Sequence, residues 1–254
     1  MLSAIRTWSA KKYELDKMTL RDLVVAYFTH YSIVAYLALA VFGAVAAVWL
    51  APGVWPPLRG VALVLVLYPL VEYALHRWVL HATWMYKSQM TAKVWKRIHY
   101  DHHQNPHDLS VLFGALYTTL PTILLITLPL GWLVGGASGA MAAMAAGLLI
   151  FAGYEFCHCV QHLPFTPGMG WLRDIKKRHL AHHFHSEQGN YGITSGIWDR
   201  AFGTLYSQMK EVERSPTTFN LGYAGSERDT YPWVAELSET ENELTARRQR
   251  RRTA

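Results

Sequence analysis

Charge is missing from two long stretches of this 254-residue chain. No Asp, Glu, Lys or Arg occurs between Leu23 and Leu58, or between Leu109 and Tyr154. A bilayer crossing takes about 20 mostly apolar residues, so each stretch exceeds one crossing. The pattern excludes a soluble globular domain and describes an integral membrane protein. Cysteine is also scarce. Cys157 and Cys159 are the only two, and one residue apart on a helix they would face well away from each other, so they form no mutual disulfide. The absence of a disulfide framework fits a site on a reducing, cytoplasmic side. The N-terminal segment has no apolar signal region, because Arg6, Lys11, Lys12, Lys17 and Arg21 are scattered through it, so a secretory signal is not expected. No internal repeat is evident beyond a duplicated HxxHH, and no convergent Ser-His-Asp set argues for hydrolysis.

What the chain has is histidine. Ten of its thirteen histidines fall into four boxes: His76 and His81; His99, His102 and His103; His158 and His162; His179, His182 and His183. At roughly 5% histidine per position, about 0.03 copies of HxxHH are expected by chance, and two are present. Imidazole is the commonest metal-binding side chain and suits iron, zinc and copper. Ten imidazoles exceed the needs of one ion and suit a pair, each held by four or five nitrogens. On a helix, the i, i+3 and i+4 positions of HxxHH span about 100° and can converge on one site, as can the i, i+4 pair His158 and His162. His76 and His81 lie about 140° apart on an α-helix. They are expected at a helix end or straddling the gap between the ions.

The hydropathy pattern predicts an all-α protein with about four transmembrane helices, over about 24–50, 58–81, 109–134 and 140–162. A cytoplasmic helical cap, including a helix over about 171–185, would hold a histidine-rich di-metal site. Residues 1–22 read as an interfacial N-terminal segment using Leu2, Ile5, Trp8 and Leu15, residues 23–206 as the membrane domain, and residues 207–254 as a polar, partly disordered tail. Lys and Arg number five before the first span and one at the turn after it. They number four in the 82–108 stretch, none in the Gly135–Gly139 turn and thirteen after His162. That alternation predicts both termini and every histidine box on the cytoplasmic side. The arginine-rich end, 247–252, reinforces this orientation.

Glu72 and Glu155 are the acids within the second and fourth spans, where an ionisable group is a functional hypothesis by default. With Asp101 and Asp199 they are candidates to accept the outer N–H of a ligand histidine and fix its tautomer. His30 reads as structural, and His107 and His185 as possible outer partners of the boxes. Trp78, Trp84, Tyr86 and Trp95 suggest an interfacial aromatic belt or the border of a lipid entrance.

From Glu72 to Thr204 the residues resemble the fatty acid hydroxylase/sterol desaturase superfamily of membrane di-iron enzymes. Glu72-Tyr-Ala-Leu-His76-Arg-Trp-Val-Leu-His81 looks like the family's first box, and HxxHH, HxxxH and HxxHH follow in the family's order. The run from His182 to Asp199, with Gly192-Ile-Thr and Trp198-Asp199, resembles the fatty acid 2-hydroxylase branch. The resemblance implies two iron ions on His76, His81, His99, His102, His103, His158, His162, His179, His182 and His183, with zinc able to substitute. It implies O2 as co-substrate and hydroxylation of a lipid C–H bond, with a fatty-acyl chain preferred to a sterol or carotenoid. Some relatives carry a fused haem domain; here 22 N-terminal residues are too few and the tail has no histidine, so electrons are expected from a separate redox protein. No nucleic-acid partner is expected. A histidine-based metal transporter would need its ligands near the bilayer midplane, and a membrane haem cytochrome would leave the HxxHH boxes unused.

Overall fold

The computed structural model describes residues 13–242. The lead-in residues Leu2, Ile5 and Trp8 and the arginine-rich end lie outside them. Among the described residues three helices are long and apolar enough to cross a membrane: Tyr31–Trp49, Trp55–Leu80 with its terminal π turn, and Leu109–Gln161. No strand occurs among the described residues, where the only β pairing is an isolated bridge between Glu14 and Asp108.

Helix α1, Leu20–Thr29, starts at a full capping box: the Thr19 hydroxyl accepts from Asp22 N–H, and the Asp22 carboxylate accepts from Thr19 N–H. The sequence suggested one continuous span from 24 to 50. The chain instead breaks at His30, whose backbone is extended (φ −72°, ψ 134°). His30 is held there by a 2.6 Å contact of Nδ1 with the Ser32 hydroxyl and by stacking on Phe113 at 4.2 Å. Its role is therefore structural, as its position outside the boxes suggested. Helix α2, Tyr31–Trp49, then forms the first long apolar element.

Helix α3, Trp55–Leu75, begins with Pro56 and Pro57 in its first turn. Proline fits there because the missing N–H would have no helical partner. At its far end the backbone winds into a π turn, His76–Leu80. A short cap follows, built from α4 (Trp84–Lys87), α5 (Gln89–Trp95), a second π turn (Lys96–Tyr100) and α6 (Asp101–Gln104). Helix α7, Leu109–Leu112, leads into α8, Leu116–Gln161, which is not straight. Gly135 and Gly136 leave helical geometry, and Gly136 takes φ +59°, a left-handed value open to glycine at little cost. The two limbs of α8 double back there. Gly131 faces Gly139 and Ala143, and Gly147 faces Thr127 and Ile123. The Gly-rich turn expected at 135–139 is thus a fold-back inside one long helix.

Small residues bring these elements close. A Cβ added at Gly60 would strike the Gly139 carbonyl, and one at Gly43 would strike Met144. In lipid, where apolar surface alone gives no drive to associate, such close backbone approach is a main source of helix–helix attraction. Large apolar side chains point outward instead: Val48 is 76% exposed, Trp49 84% and Leu133 79%. Such a belt would be a liability in water and is the expected surface in a bilayer.

Helix α9, Gly170–Phe184, carries the last box, and α10 is Ile197–Ala201. The segment expected as a polar tail packs onto the cap through residue 242. Leu221, Tyr223 and Val234 join Met85, Tyr86, Ala92 and Trp95 in one buried cluster. Helix α11, Ser226–Thr230, and a helical stretch over 233–242 complete it. Lys96 is buried beneath this segment and pairs with Asp101 at 2.9 Å and Glu241 at 2.6 Å. Burial works against the ammonium charge, but hydrogen bonds to the two carboxylates outweigh it and raise its pKa.

The orientation read from Lys and Arg predicts that cysteines at Gly53 and Met90, both exposed, lie on opposite faces of the membrane. With Cys157 and Cys159 replaced, an impermeant thiol reagent added to sealed vesicles should modify one and spare the other. Modification of both from one side would contradict the orientation.

Candidate metal centre

All four boxes sit at or near helix C-termini. His76 caps α3, and His81 closes its π turn. His99 lies in the second π turn, with His102 and His103 in α6. His158 lies in the last turn of α8 and His162 caps it. His179, His182 and His183 occupy the last two turns of α9. Helix C-termini carry partial negative charge, so their convergence creates a field suited to cations.

The ten histidines form two groups. His76, His81, His99, His103 and His182 make one; His102, His158, His162, His179 and His183 make the other. Within each group the facing ring atoms lie within 4.8 Å of one another; every member is buried but His81, which is partly buried. His81 Nε2 lies 3.2 Å from His76 Nε2 and 2.8 Å from His99 Nε2. His179 Nε2 lies 2.9 Å from Nε2 of both His158 and His162. A metal–nitrogen bond of about 2.1 Å places neighbouring ligands at about 3 Å from each other, so these spacings suit imidazoles around a common ion.

The grouping differs from the expectation that each HxxHH converges on one site. In both boxes the i and i+4 histidines enter one group and the i+3 histidine enters the other. His99 and His103 join the first group while His102 joins the second; His179 and His183 join the second while His182 joins the first. The reason is angular. On an α-helix i+4 lies about 40° to one side of i and i+3 about 60° to the other, so a single box spans two adjacent centres. The first pair is also resolved. The π turn, with His81 N–H bonded to the His76 carbonyl at 3.1 Å, brings i and i+5 onto one face. Both then serve the same group at a helix end and do not straddle the gap. Single-turn π bulges recur at functional sites.

Ligand orientation comes from backbone carbonyls. Nδ1–H of His76 donates to Tyr191 O at 2.5 Å, that of His103 to Thr218 O at 2.7 Å and that of His182 to Gly189 O at 2.7 Å. Each bond fixes the tautomer that turns Nε2 inward. Several inward nitrogens, including Nε2 of His103, His182 and His183, are buried without a protein hydrogen-bond partner, which is the condition of ligands facing a metal. Burial, and then the neighbouring imidazoles, push His81, His99, His102, His179, His182 and His183 far below the usual histidine range. Burial takes His103 down to about 3. The rings are therefore neutral at physiological pH, with lone pairs free to bind a metal.

The acidic candidates act at one remove or not at all. Asp199 reaches no histidine. Its carboxylate accepts from Tyr191 N–H at 2.8 Å, Gly192 N–H at 2.7 Å and the Thr204 hydroxyl at 2.8 Å, holding the loop whose Tyr191 carbonyl accepts the hydrogen bond from His76 Nδ1–H. Glu72 likewise accepts from Ile193 N–H at 2.6 Å, Thr194 N–H at 2.8 Å and the Thr194 hydroxyl. It ties that loop to α3. Asp101 pairs with Lys96, and Glu155 accepts from Gly114 N–H at 2.6 Å. Asp199, Glu72 and Glu155 went to backbone because the irregular segments beside the boxes carry N–H groups that no helix satisfies, whereas Asp101 went to the buried Lys96 ammonium.

His185 Nε2–H donates to Val212 O at 2.9 Å, and His107 stacks on Phe184. Neither belongs to a five-histidine group. Sequence reasoning missed the carbonyls of Tyr191, Gly189 and Thr218, since any residue type supplies a carbonyl.

An apolar cavity runs from the histidines into the membrane domain. It is lined by Leu63, Leu67, Leu75, Ile126, Leu130 and Phe151, and meets His76, His99, His102, His158 and His179 at its inner end. The four aromatic residues read as an interfacial belt or the border of a lipid entrance do not line this cavity. Tyr86 and Trp95 are buried against the C-terminal segment, and Trp78 and Trp84 are about half exposed outside the cavity lining.

Residues 61–204 match the model of the fatty acid hydroxylase family. The chain is 33% identical over 144 residues to the ceramide very long chain fatty acid hydroxylase of Saccharomyces cerevisiae, covering 54% of this chain and 35% of that protein. It is 32% identical over 188 residues to a dihydroceramide fatty acyl 2-hydroxylase of Arabidopsis thaliana, covering 67% and 76%. It is 30% identical over 157 residues to the fatty acid 2-hydroxylase of Homo sapiens, covering 58% and 39%. The match thus spans about a third of the yeast relative's length. A solved structure of full-length scs7p, with only the hydroxylase domain visible, superposes with a TM-score of 0.52 at 27% identity, covering 79% of this chain and 71% of that one.

Removing the Asp199 carboxylate should unpin Tyr191. Asp199→Ala strands two buried N–H groups, at about 1–3 kcal/mol each. It should lower the thermal midpoint of the detergent-solubilised protein by several degrees and weaken metal retention about 10–100-fold. An unchanged midpoint and unchanged retention would show that the loop holds itself.

Proposed function

Because the chain belongs to the fatty acid hydroxylase family, we propose that it is an O2-dependent membrane oxygenase. It would insert one oxygen atom into a C–H bond of a fatty-acyl chain at the cytoplasmic face. The observation that carries this reading is the meeting of two all-imidazole groups with an apolar cavity that lies between membrane helices. Neutral nitrogens at ligand spacing fit two iron ions, and zinc can take their place because it binds nitrogen sites more tightly than ferrous iron. When bound, the irons supply O2 activation and hydrogen abstraction from an unactivated carbon. The overall balance takes one C–H bond, one O2, two electrons and two protons to an alcohol and water. The electrons come from a separate redox protein approaching the cap from water.

The chain's own residues do the rest. Leu67, Val71, Leu75, Ile126 and Phe151 hold methylenes and exclude water from the reacting carbon. His76, His99, His102, His158 and His179 mark the depth at which that carbon stops. Glu72 keeps the 191–194 loop against α3, so the inner end of the cavity keeps its shape. The histidine groups sit at helix ends, whereas a transport site is expected between the middles of facing spans, which favours an enzyme over a transporter.

Metal analysis of pure protein tests the two-ion reading. The native chain should carry two ions, and His102→Ala and His103→Ala, adjacent in sequence but in different groups, should each leave about one. One ion in the native protein, or no loss in either variant, would contradict it. Labelled O2 tests the reaction. With a reductant and fatty-acyl substrates, one labelled oxygen should appear in the hydroxylated product. Oxygen from water, or turnover without O2, would exclude the mechanism; a new double bond without inserted oxygen would make the protein a desaturase.

A further inference from the structure

The cavity has a floor, and the floor sets a length. Along α3 its lining runs from His76 back to Leu63, thirteen residues or about 20 Å at 1.5 Å per residue. Along the second limb of α8 it runs from His158 to Gly147, eleven residues or about 17 Å. Leu63, Val64, Thr127, Leu130 and Gly147 surround the deep end. About one turn farther on, three backbones meet. A Cβ at Gly60 would strike Gly139 O, and one at Gly131 would strike both Gly139 O and Ala143 Cβ. At Gly147 a Cβ would already strike Thr127 Cγ2. Helix α3 and the first limb of α8 each come into backbone contact with the second limb there, too close for a hydrocarbon chain to run on between the touching pairs.

Resting on the hydroxylase reading above, we propose that this cavity is a ruler selecting acyl chains of about fourteen to eighteen carbons, with Gly60, Gly131 and Gly139 as its stop. A carbon–carbon bond of about 1.5 Å advances an extended chain by about 1.3 Å per carbon. A depth of 17–20 Å therefore takes about thirteen to fifteen carbons beyond the reacting one, about fifteen to seventeen in all when the reacting carbon is the one next to the carboxyl carbon. A tail of twenty-two or more carbons would have to fold back on itself or leave its headgroup several ångströms short of the histidines. The yeast relative is named for very long chains; the depth of the cavity here assigns this chain a shorter class. Leu67 lines the cavity four residues nearer the histidines than Leu63, a difference of about 6 Å or about five carbons.

The test uses the metal-loaded protein in nanodiscs and saturated acyl substrates from twelve to twenty-six carbons. Two readouts run in parallel: hydroxylated product with O2 and reductant, and thermal stabilisation by each lipid without reductant. Both should peak at fourteen to eighteen carbons, with product from twenty-four carbons at least tenfold lower. Leu67→Trp should move both optima about five carbons shorter, and Leu130→Ala should move them one or two carbons longer. Metal content at the native level shows that a variant is folded, and the native profile decides the matter if a variant is not. Turnover or stabilisation that does not vary from fourteen to twenty-four carbons overturns the ruler. A stabilisation peak at fourteen to eighteen carbons without product at any length supports the ruler and overturns the hydroxylation reading instead.

Discussion

Ten neutral imidazoles packed at the ends of four helical segments are the constraint on which the rest of this structure depends. Burying them unprotonated and mostly without protein partners at their inner nitrogens is unfavourable unless those nitrogens have something to bind. The two groups interlock, because each HxxHH box contributes to both. Rotating α6 or α9 by one residue would therefore spoil two centres together. The π turn at His76–Leu80 answers the same demand by shifting the register of the helix end so that His81 joins His76.

Holding that geometry falls to segments without regular secondary structure. The loop from Gly189 to Asp199 presents carbonyls to His182 and His76, and is itself held by Glu72 from α3 and by Asp199. The C-terminal segment presents Thr218 O to His103, and its Glu241 joins Asp101 around Lys96. Residues past 207 thus contribute to the orientation of a ring in the first group. A carbonyl at the end of a well-packed loop is a rigid acceptor that does not titrate, which suits imidazole rings that must stay neutral to bind a metal.

The membrane domain contributes shape. Glycines let α3 and the limbs of α8 touch at one end, while larger residues hold them apart toward the histidines and leave the apolar cavity between. One geometric device thus narrows one end of the cavity and leaves it wide beside the histidines. Outward-facing Val, Leu and Trp along the same helices form an apolar belt of the kind a bilayer covers.

The all-α class, the apolar helices, the fold-back near Gly135–Gly136 and the set of ten histidines were legible in the sequence. They rest on local patterns: uncharged runs, a glycine pair that permits unusual backbone angles, and helical spacing of one residue type. The roles of Glu72, Asp101 and Glu155 were not legible, because a carboxylate takes whichever donor the fold brings near, and here those donors were loop N–H groups and Lys96. The break at His30 and the packed 207–242 segment also escaped the pattern, since both depend on contacts with residues far along the chain. Composition and spacing alone determined which side chains are available for metal. Only the tertiary structure decided how they divide between two groups, because that division follows from helix phase, π winding and the crossing of four helix ends in space.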